Sequence, residues 1–364
     1  MRRSIGVDIP GARDRSYRIY LQPGMLPELP DRIAGEVRGD GLFVITDSTV
    51  ERLYGRRFLH GLASRIPGTV MLDIPPGEPS KTFRYYSSLV GQLLAQRIQR
   101  ESLIVALGGG VVGDIGGFVA ATLLRGVRFV QVPTTLLAQV DSSVGGKVGI
   151  DHRLGKNLVG AFHQPAAVYI DPDVLKTLPA LEFRNGLAEI VKIALALDGG
   201  LFRKIERNLG RIKKTATSLL ADLITGAVSL KAAVVARDER EAGLRKTLNL
   251  GHTVGHAVES AMGYTLTHGA AVAMGLAAES RIAVRMGLLR PAELERIVHV
   301  LRGLKLPVTV PREMQRSTFA ARLAVDKKVV GGKTQFVLPA GIGVSAIGVE
   351  VPTEYLYEAI GRGR

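Results

Sequence analysis

Short apolar runs alternate with stretches of helical spacing through the first half of the chain. Leu42 to Thr46 (LFVIT), Thr69 to Ile74 (TVMLDI), Leu103 to Leu107 (LIVAL), Arg128 to Val132 (RFVQV) and Ala167 to Ile170 (AVYI) are predicted as strands. Between them, Phe83 to Ile98 and Val111 to Leu124 carry apolar residues at helical spacing. That rhythm predicts a mostly parallel sheet with crossover helices. After Asp171-Pro172 the texture changes. Leu181 to Leu197, Ser218 to Ala236, Gly251 to Met262, Gly269 to Met286 and Pro291 to Leu301 all read as helices, and only Thr334 to Ile347 suggests a β-hairpin. The pattern divides the chain into an α/β domain, residues 1–172, and a mainly helical domain, residues 173–364.

Composition narrows the chemistry. The 364 residues suffice for two domains with substantial cores, and 46% hydrophobic with 22% charged residues is globular usage. No run reads as the roughly 20 apolar residues of a membrane span, and the basic N-terminus lacks the apolar run of a secretory signal. The expectation is a cytoplasmic protein without a membrane partner. Cysteine is absent, which excludes disulfides and thiolate metal sites, so any metal would rest on His and carboxylate. The net charge of +15 admits nucleic acid or a small anion. The basic residues are dispersed, aromatics are 5% and Trp is absent, so nucleic-acid binding is not expected.

Leu103 to Asp114 reads LIVALGGGVVGD, a strand running through glycines into a helix. Gly108, Gly110 and Gly113 fit G-x-G-x-x-G, the spacing that lets a backbone approach a pyrophosphate. The acidic residue expected about 20 positions later is missing. Asp47, at the end of LFVITD, is an upstream replacement; a ribose contact and a helix N-cap are both open to it. In the second half, LNLGHTVGHAVE sets His252 and His256 four apart on one helical face, and His268 opens the next helix. Glu189 and Lys192 lie three apart in an otherwise apolar helix (GLAEIVK), where charge is costly unless paired or bound to metal. Spacing alone pairs His252 with His256, and a Glu with a third His would complete a catalytic zinc, but spacing does not choose among the three histidines. His60, His152, His163 and His299 read as surface or loop residues.

The run GGGVVGDIGGFVAATLLRGVRFVQVPTTLLAQVDSSVGGKVGIDHRLGKNLVGAFHQP, followed by LKTLP, NGLAEIVK, RKTLNLGHTVGHAVE, HGAAVAMG and DKK at Asp326, closely resembles the 3-dehydroquinate synthases. The resemblance covers most of the chain. It implies a Rossmann-like N-terminal domain binding NAD, a helical C-terminal domain holding Zn2+ or Co2+, and an active site between them. Metal ligands carry over to Glu189, His252 and His268, leaving His256 a substrate-side role. NAD contacts carry over to Asp47, Glu78, Lys81, Gly109, Gly110, Val111, Gly113, Asp114, Thr134, Thr135 and Thr177, with Lys147 and Lys156 nearby. Catalytic and substrate-binding positions carry over to Arg125, Lys147, Lys192, Lys231 and His256, and to Asp141, Lys156, Asn157, Arg245, Asn249 and Lys327 or Lys328. Pro79, Ser80 and Ala270 depart from the usual pattern, at neighbours rather than ligands.

The implied substrate is 3-deoxy-D-arabino-heptulosonate 7-phosphate, a small phosphorylated sugar acid whose charges suit Arg125, Lys147, Lys156, Lys192, Lys231 and Arg245. The implied reaction is transient oxidation, phosphate elimination, reduction, ring opening and aldol closure, in a homodimeric enzyme. Two alternatives stand beside it: another sugar phosphate cyclase, or a metal-dependent NAD polyol dehydrogenase. A nucleic-acid-binding protein is the alternative from a different class.

Overall fold

The structure is a computed structural model and describes residues 2–9, 15–39, 41–212, 218–325, 329–330 and 333–361. The chain divides into two compact units: Met1–Leu178 with Lys214–Ala221, and Pro179–Lys213 with Asp222–Arg364.

In the first unit the strands are β1 (Arg3–Val7), β2 (Tyr17–Leu21), β3 (Leu42–Asp47), β4 (Val70–Ile74), β5 (Leu103–Gly108), β6 (Arg128–Pro133), β7 (Lys147–His152), β8 (Gly155–Phe162) and β9 (Ala167–Ile170), with helices α1 (Arg56–Ala63), α2 (Phe83–Ala95) and α3 (Gly110–Thr122). Seven strands form one sheet in the order β1-β2-β9-β6-β5-β3-β4. All its pairings are parallel except β1 with β2. Strands β3 and β5 are buried at every position, which explains why they read as unbroken apolar runs rather than alternations. Period two still sorts their side chains. Phe43, Ile45, Ile104 and Ala106 pack with α2 and α3 on one face, and Leu42, Val44, Leu103 and Val105 pack with Phe58 and Leu62 of α1 on the other.

The chain goes from β3 outward to β4, then returns to β5 on the other side of β3. That reversal is a topological switch point, the place in open α/β sheets where ligands bind outside the strand carboxyl ends. Thr46 pairs with Leu107, so the ends of β3 and β5 lie side by side. Strands β7 and β8 form a separate antiparallel ribbon that the sequence pattern does not reveal, because glycines and charges interrupt its alternation.

The second unit contains α4 (Ala180–Leu197), α5 (Gly199–Glu206), α6 (Ser218–Arg237, of which Asp222 onward belongs here), α7 (His252–Ala261), α8 (His268–Arg285), α9 (Pro291–Gly303), α10 (Arg316–Val325), an antiparallel hairpin of β10 (Lys333–Pro339) and β11 (Ser345–Glu350), and α11 (Thr353–Ala359). Helix α8 packs against both α4 and α7, and α4 and α8 are buried on nearly all sides. Helix α6 corrects the expectation that no segment reaches membrane-span length: by length and composition it does. More than half of it is buried within the protein, with Lys231 buried and Asp222 held by Lys204 at 2.8 Å, as in a core helix.

Candidate active site

In the first unit, the candidate cofactor residues gather at the carboxyl ends of the sheet strands. The turn between β5 and α3 is Gly108 to Gly110. A Cβ on Gly109 would lie 3.0 Å from the Thr135 methyl, and one on Gly113 would lie 2.7 Å from Gln131 Oε1. The first lets the turn lie close against Thr135 after the end of β6, and the second allows α3 to lie on the sheet. Thr134 follows β6 and donates its backbone N–H to Gly108 O at 2.9 Å. Asp47 ends β3, and its Oδ1 accepts from the N–H groups of Thr49 and Val50 at 2.9 and 3.0 Å. The N-cap role is therefore realised at Asp47. Thr177 is exposed, with its hydroxyl 2.5 Å from the hydroxyl of Tyr54, in the helical segment that follows Asp47.

Lys81 is buried and pairs with Asp114 Oδ2 at 2.7 Å and with the Asn157 side chain. Burial opposes its charge, but the charges of Asp114 and Glu78 outweigh that and raise its pKa. Lys156 lies 3.8 Å from Glu78, and Asp151 accepts from the Asn157 N–H at 2.8 Å. Burial pushes the Asp151 carboxyl up to about 6, against the pull of that hydrogen bond and of Lys81. Residues assigned separately to cofactor (Glu78, Lys81, Asp114) and to substrate (Lys156, Asn157) thus form one charged network, which also includes Asp151. Arg125 and Asn157 both adopt left-handed backbone conformations, φ 65° and 55°. Such strain, about 1–3 kcal/mol per residue, persists where surrounding structure imposes it and clusters at functional sites. Lys147 is exposed at the start of β7, and Asp141 is half-buried in the helical turn Ala138–Ser142.

In the second unit, Glu189 is fully buried on α4. The ring Nε2 atoms of His268 and His252 lie 3.2 and 3.8 Å from its Oε1, and Lys192 pairs with its Oε2. A Cβ on Gly269 would meet the Asn185 backbone at 2.4 Å, so glycine there lets α8 begin directly on α4, one turn from Glu189. His252 Nδ1 faces Leu250 O at 3.2 Å, and His268 Nδ1 faces Glu259 Oε2 at 3.6 Å. Burial disfavours a charged His268, but Glu189 and Glu259 outweigh it and push its pKa up to about 9. Carboxylates that hold a proton so tightly also favour a divalent cation in its place. One ligand atom each from Glu189, His252 and His268 lie within 4.8 Å of one another, as do those of His256, Glu259 and His268. Two imidazoles and a buried carboxylate fit a zinc-class ion. His256 is exposed, with its ring 4.9 Å from that of His252.

Arg245 is buried; its guanidinium donates to Glu239 O and its backbone N–H to Asp238 Oδ2 at 2.9 Å, so it is not a surface ion pair. Asn249 donates to Glu241, and Lys231 is buried on α6. Lys327 and Lys328 lie outside the described residues. His163 is not a simple surface residue: it stacks on Phe129 with centroids 5.2 Å apart and contacts Val127 O at 2.9 Å.

Residues 71–185 match the family model for 3-dehydroquinate synthase N-terminal, and residues 186–329 match that for 3-dehydroquinate synthase C-terminal. The chain belongs to the 3-dehydroquinate synthase family. A 3-dehydroquinate synthase from Gloeobacter violaceus is 46% identical over 342 residues, covering 94% of each chain. Among solved structures, the chain is similar to 2-epi-5-epi-valiolone synthase from Streptomyces hygroscopicus subsp. jinggangensis, solved with NAD+ and Zn2+ bound. That likeness has a TM-score of 0.87 at 31% identity and covers 97% of this chain and 98% of the other. A 2-deoxy-scyllo-inosose synthase complexed with carbaglucose-6-phosphate, NAD+ and Co2+ gives a TM-score of 0.85 at 25% identity, covering 100% of both chains.

Sequence reasoning overlooked two carboxylates. Glu259 had a legible signal, seven residues after His252 and so on the same helical face. Asp151 had none, since it sits in an unrecognised ribbon.

Proposed function

We propose that the chain converts 3-deoxy-D-arabino-heptulosonate 7-phosphate to 3-dehydroquinate and phosphate. The observation that carries this reading is the buried Glu189, facing His252 and His268 on one oxygen and Lys192 on the other. Bound NAD would supply a transient hydride acceptor and a divalent ion at Glu189, His252 and His268 a Lewis acid at the substrate hydroxyl.

The protein's own residues bind, orient and manage charge. In the first unit, the glycine turn at Gly109 and the strand ends around it suit a dinucleotide, while Arg125, Lys147 and Lys156 suit phosphate. In the second unit, Arg245 and Lys231 are buried cations of the kind that hold a carboxylate, and Asn249 lies in the same helical turn as Arg245. Lys192, held on Glu189, keeps a proton-bearing group beside the two imidazoles, and exposed His256 can donate or accept a proton at its ring. Loss of phosphate next to a ketone, ring opening and aldol closure then need mainly a substrate held in reacting geometry. Cytoplasmic location and assembly as a homodimer belong to the same reading and are carried by the family pattern.

The deciding experiment supplies protein, NAD, Zn2+ and the heptulosonate phosphate, and follows phosphate release and product together. Stoichiometric 3-dehydroquinate is expected. Comparable turnover of glucose 6-phosphate or sedoheptulose 7-phosphate, which lack the carboxylate, would instead favour a neighbouring sugar phosphate cyclase.

A further inference from the structure

We propose that Glu279 is a positioning residue for the metal ligands, clamping the start of α7 so that His252 is held ready for the ion. The proposal rests on the metal reading of Glu189, His252 and His268. Helix α7 begins at His252, and its N-cap is Gly251, which has no side chain to satisfy the first N–H groups. Glu279, from three turns along α8, takes over that task. One of its carboxylate oxygens accepts from the Gly251 N–H, and the other accepts from the Val254 N–H at 3.1 Å. His252 lies between these two anchored amides.

The arrangement exists because the two helices meet at backbone distance. A Cβ on Gly275 would fall 1.9 Å from Gly251 O, and Gly251 itself has φ 79°, a conformation that favours glycine. A capping side chain at 251 would be strained, so the cap comes from the facing helix. Glu279 is fully buried, and a buried carboxylate is costly unless compensated. The N–H groups and the positive end of α7 provide that compensation. The same bonds fix the His252 backbone relative to α8, which starts at the other imidazole, His268. Residues behind metal ligands commonly change metal affinity by about 10–100-fold when altered.

The test is Co2+ titration of chelator-treated protein, followed by visible absorption, with Zn2+ competition for affinity. Glu279→Gln keeps the length and one acceptor but loses the charge. It should weaken Co2+ at least tenfold and change the band pattern. Ile297→Val, a core substitution on α9, is the control for lost stability and should leave the spectrum unchanged. Amide exchange on the unsubstituted metal-free protein needs no variant to fold: Gly251 and Val254 should be protected like core amides. Rapid exchange at both would overturn the clamp. Wild-type affinity and spectrum in Glu279→Gln would overturn this inference alone. A wild type that binds no Co2+, or binds it equally well as His252→Ala, would overturn the metal reading and this proposal with it.

Discussion

Arg245 carries the sharpest expectation for a single side chain. It is buried rather than lying in a surface ion pair, so its charge is not idle. Truncating a buried partner of a substrate carboxylate costs roughly 2–5 kcal/mol, because the other charge is left unpaired. Arg245→Ala should therefore lose about a hundredfold or more in kcat/KM with an unchanged circular dichroism spectrum; a loss under threefold would remove Arg245 from the substrate. Glu259 faces His268 Nδ1 and fixes which nitrogen turns toward Glu189. Glu259→Gln should weaken zinc binding by about 10–100-fold in a chelator competition. Asp151 gives a pH signature. Its folded pKa of about 6 exceeds its ordinary value of 3.8, so the folded state binds that proton more tightly. Its stabilising contribution is present in full below pH 3.8 and disappears as pH rises through 6. Asp151→Asn should thus gain stability relative to wild type between pH 4 and pH 7, as read by Tm. A pH-independent difference would contradict the shift.

At the level of elements, helix contacts at backbone distance place the proposed ligands. Glycine at 269 lets the start of α8 sit on α4, and glycine at 275 lets α8 meet the start of α7. Gly269→Ala would drive a methyl group into backbone that cannot swing aside. Overpacking of that kind costs about 1–3 kcal/mol or more, and here it should also displace His268. A lower Tm together with weakened zinc binding is expected. A lower Tm with unaltered zinc affinity would mean that the contact serves packing alone. These contacts were not legible beforehand. Periodicity gives the helices and their apolar faces, but not which helix meets which, so spacing alone favoured His256 over His268 as the partner of His252. The structure adds a neighbour across a helix contact, since His268 faces the same Glu189 oxygen as His252.

For the whole molecule, the proposed cycle returns every hydride it removes. NAD far below the substrate concentration should support many turnovers, with no sustained rise in absorbance at the NADH band. Steady accumulation of NADH would mark a net dehydrogenase instead. The +15 charge is consistent with this small-anion chemistry. Among the described residues, buried Lys81, Lys192, Lys231 and Arg245 are cations set inside the protein rather than spread over a surface for a polyanion.

The parallel sheet was legible in the order of residues alone, because strands buried on both faces must be apolar throughout, and so was the run of helices after residue 172, because their apolar positions keep helical period. The ligand chemistry was legible too, since a chain without cysteine leaves only imidazole and carboxylate for a metal. Which of those groups meet depends on packing across the chain. Glu189, His252 and His268 lie on three different helices, and Lys81, Asp114, Asp151 and Asn157 on four separate segments. A buried charge is stable only where partners from elsewhere in the chain surround it. Those partners are fixed by how helices and strands pack, not by the local order of residues.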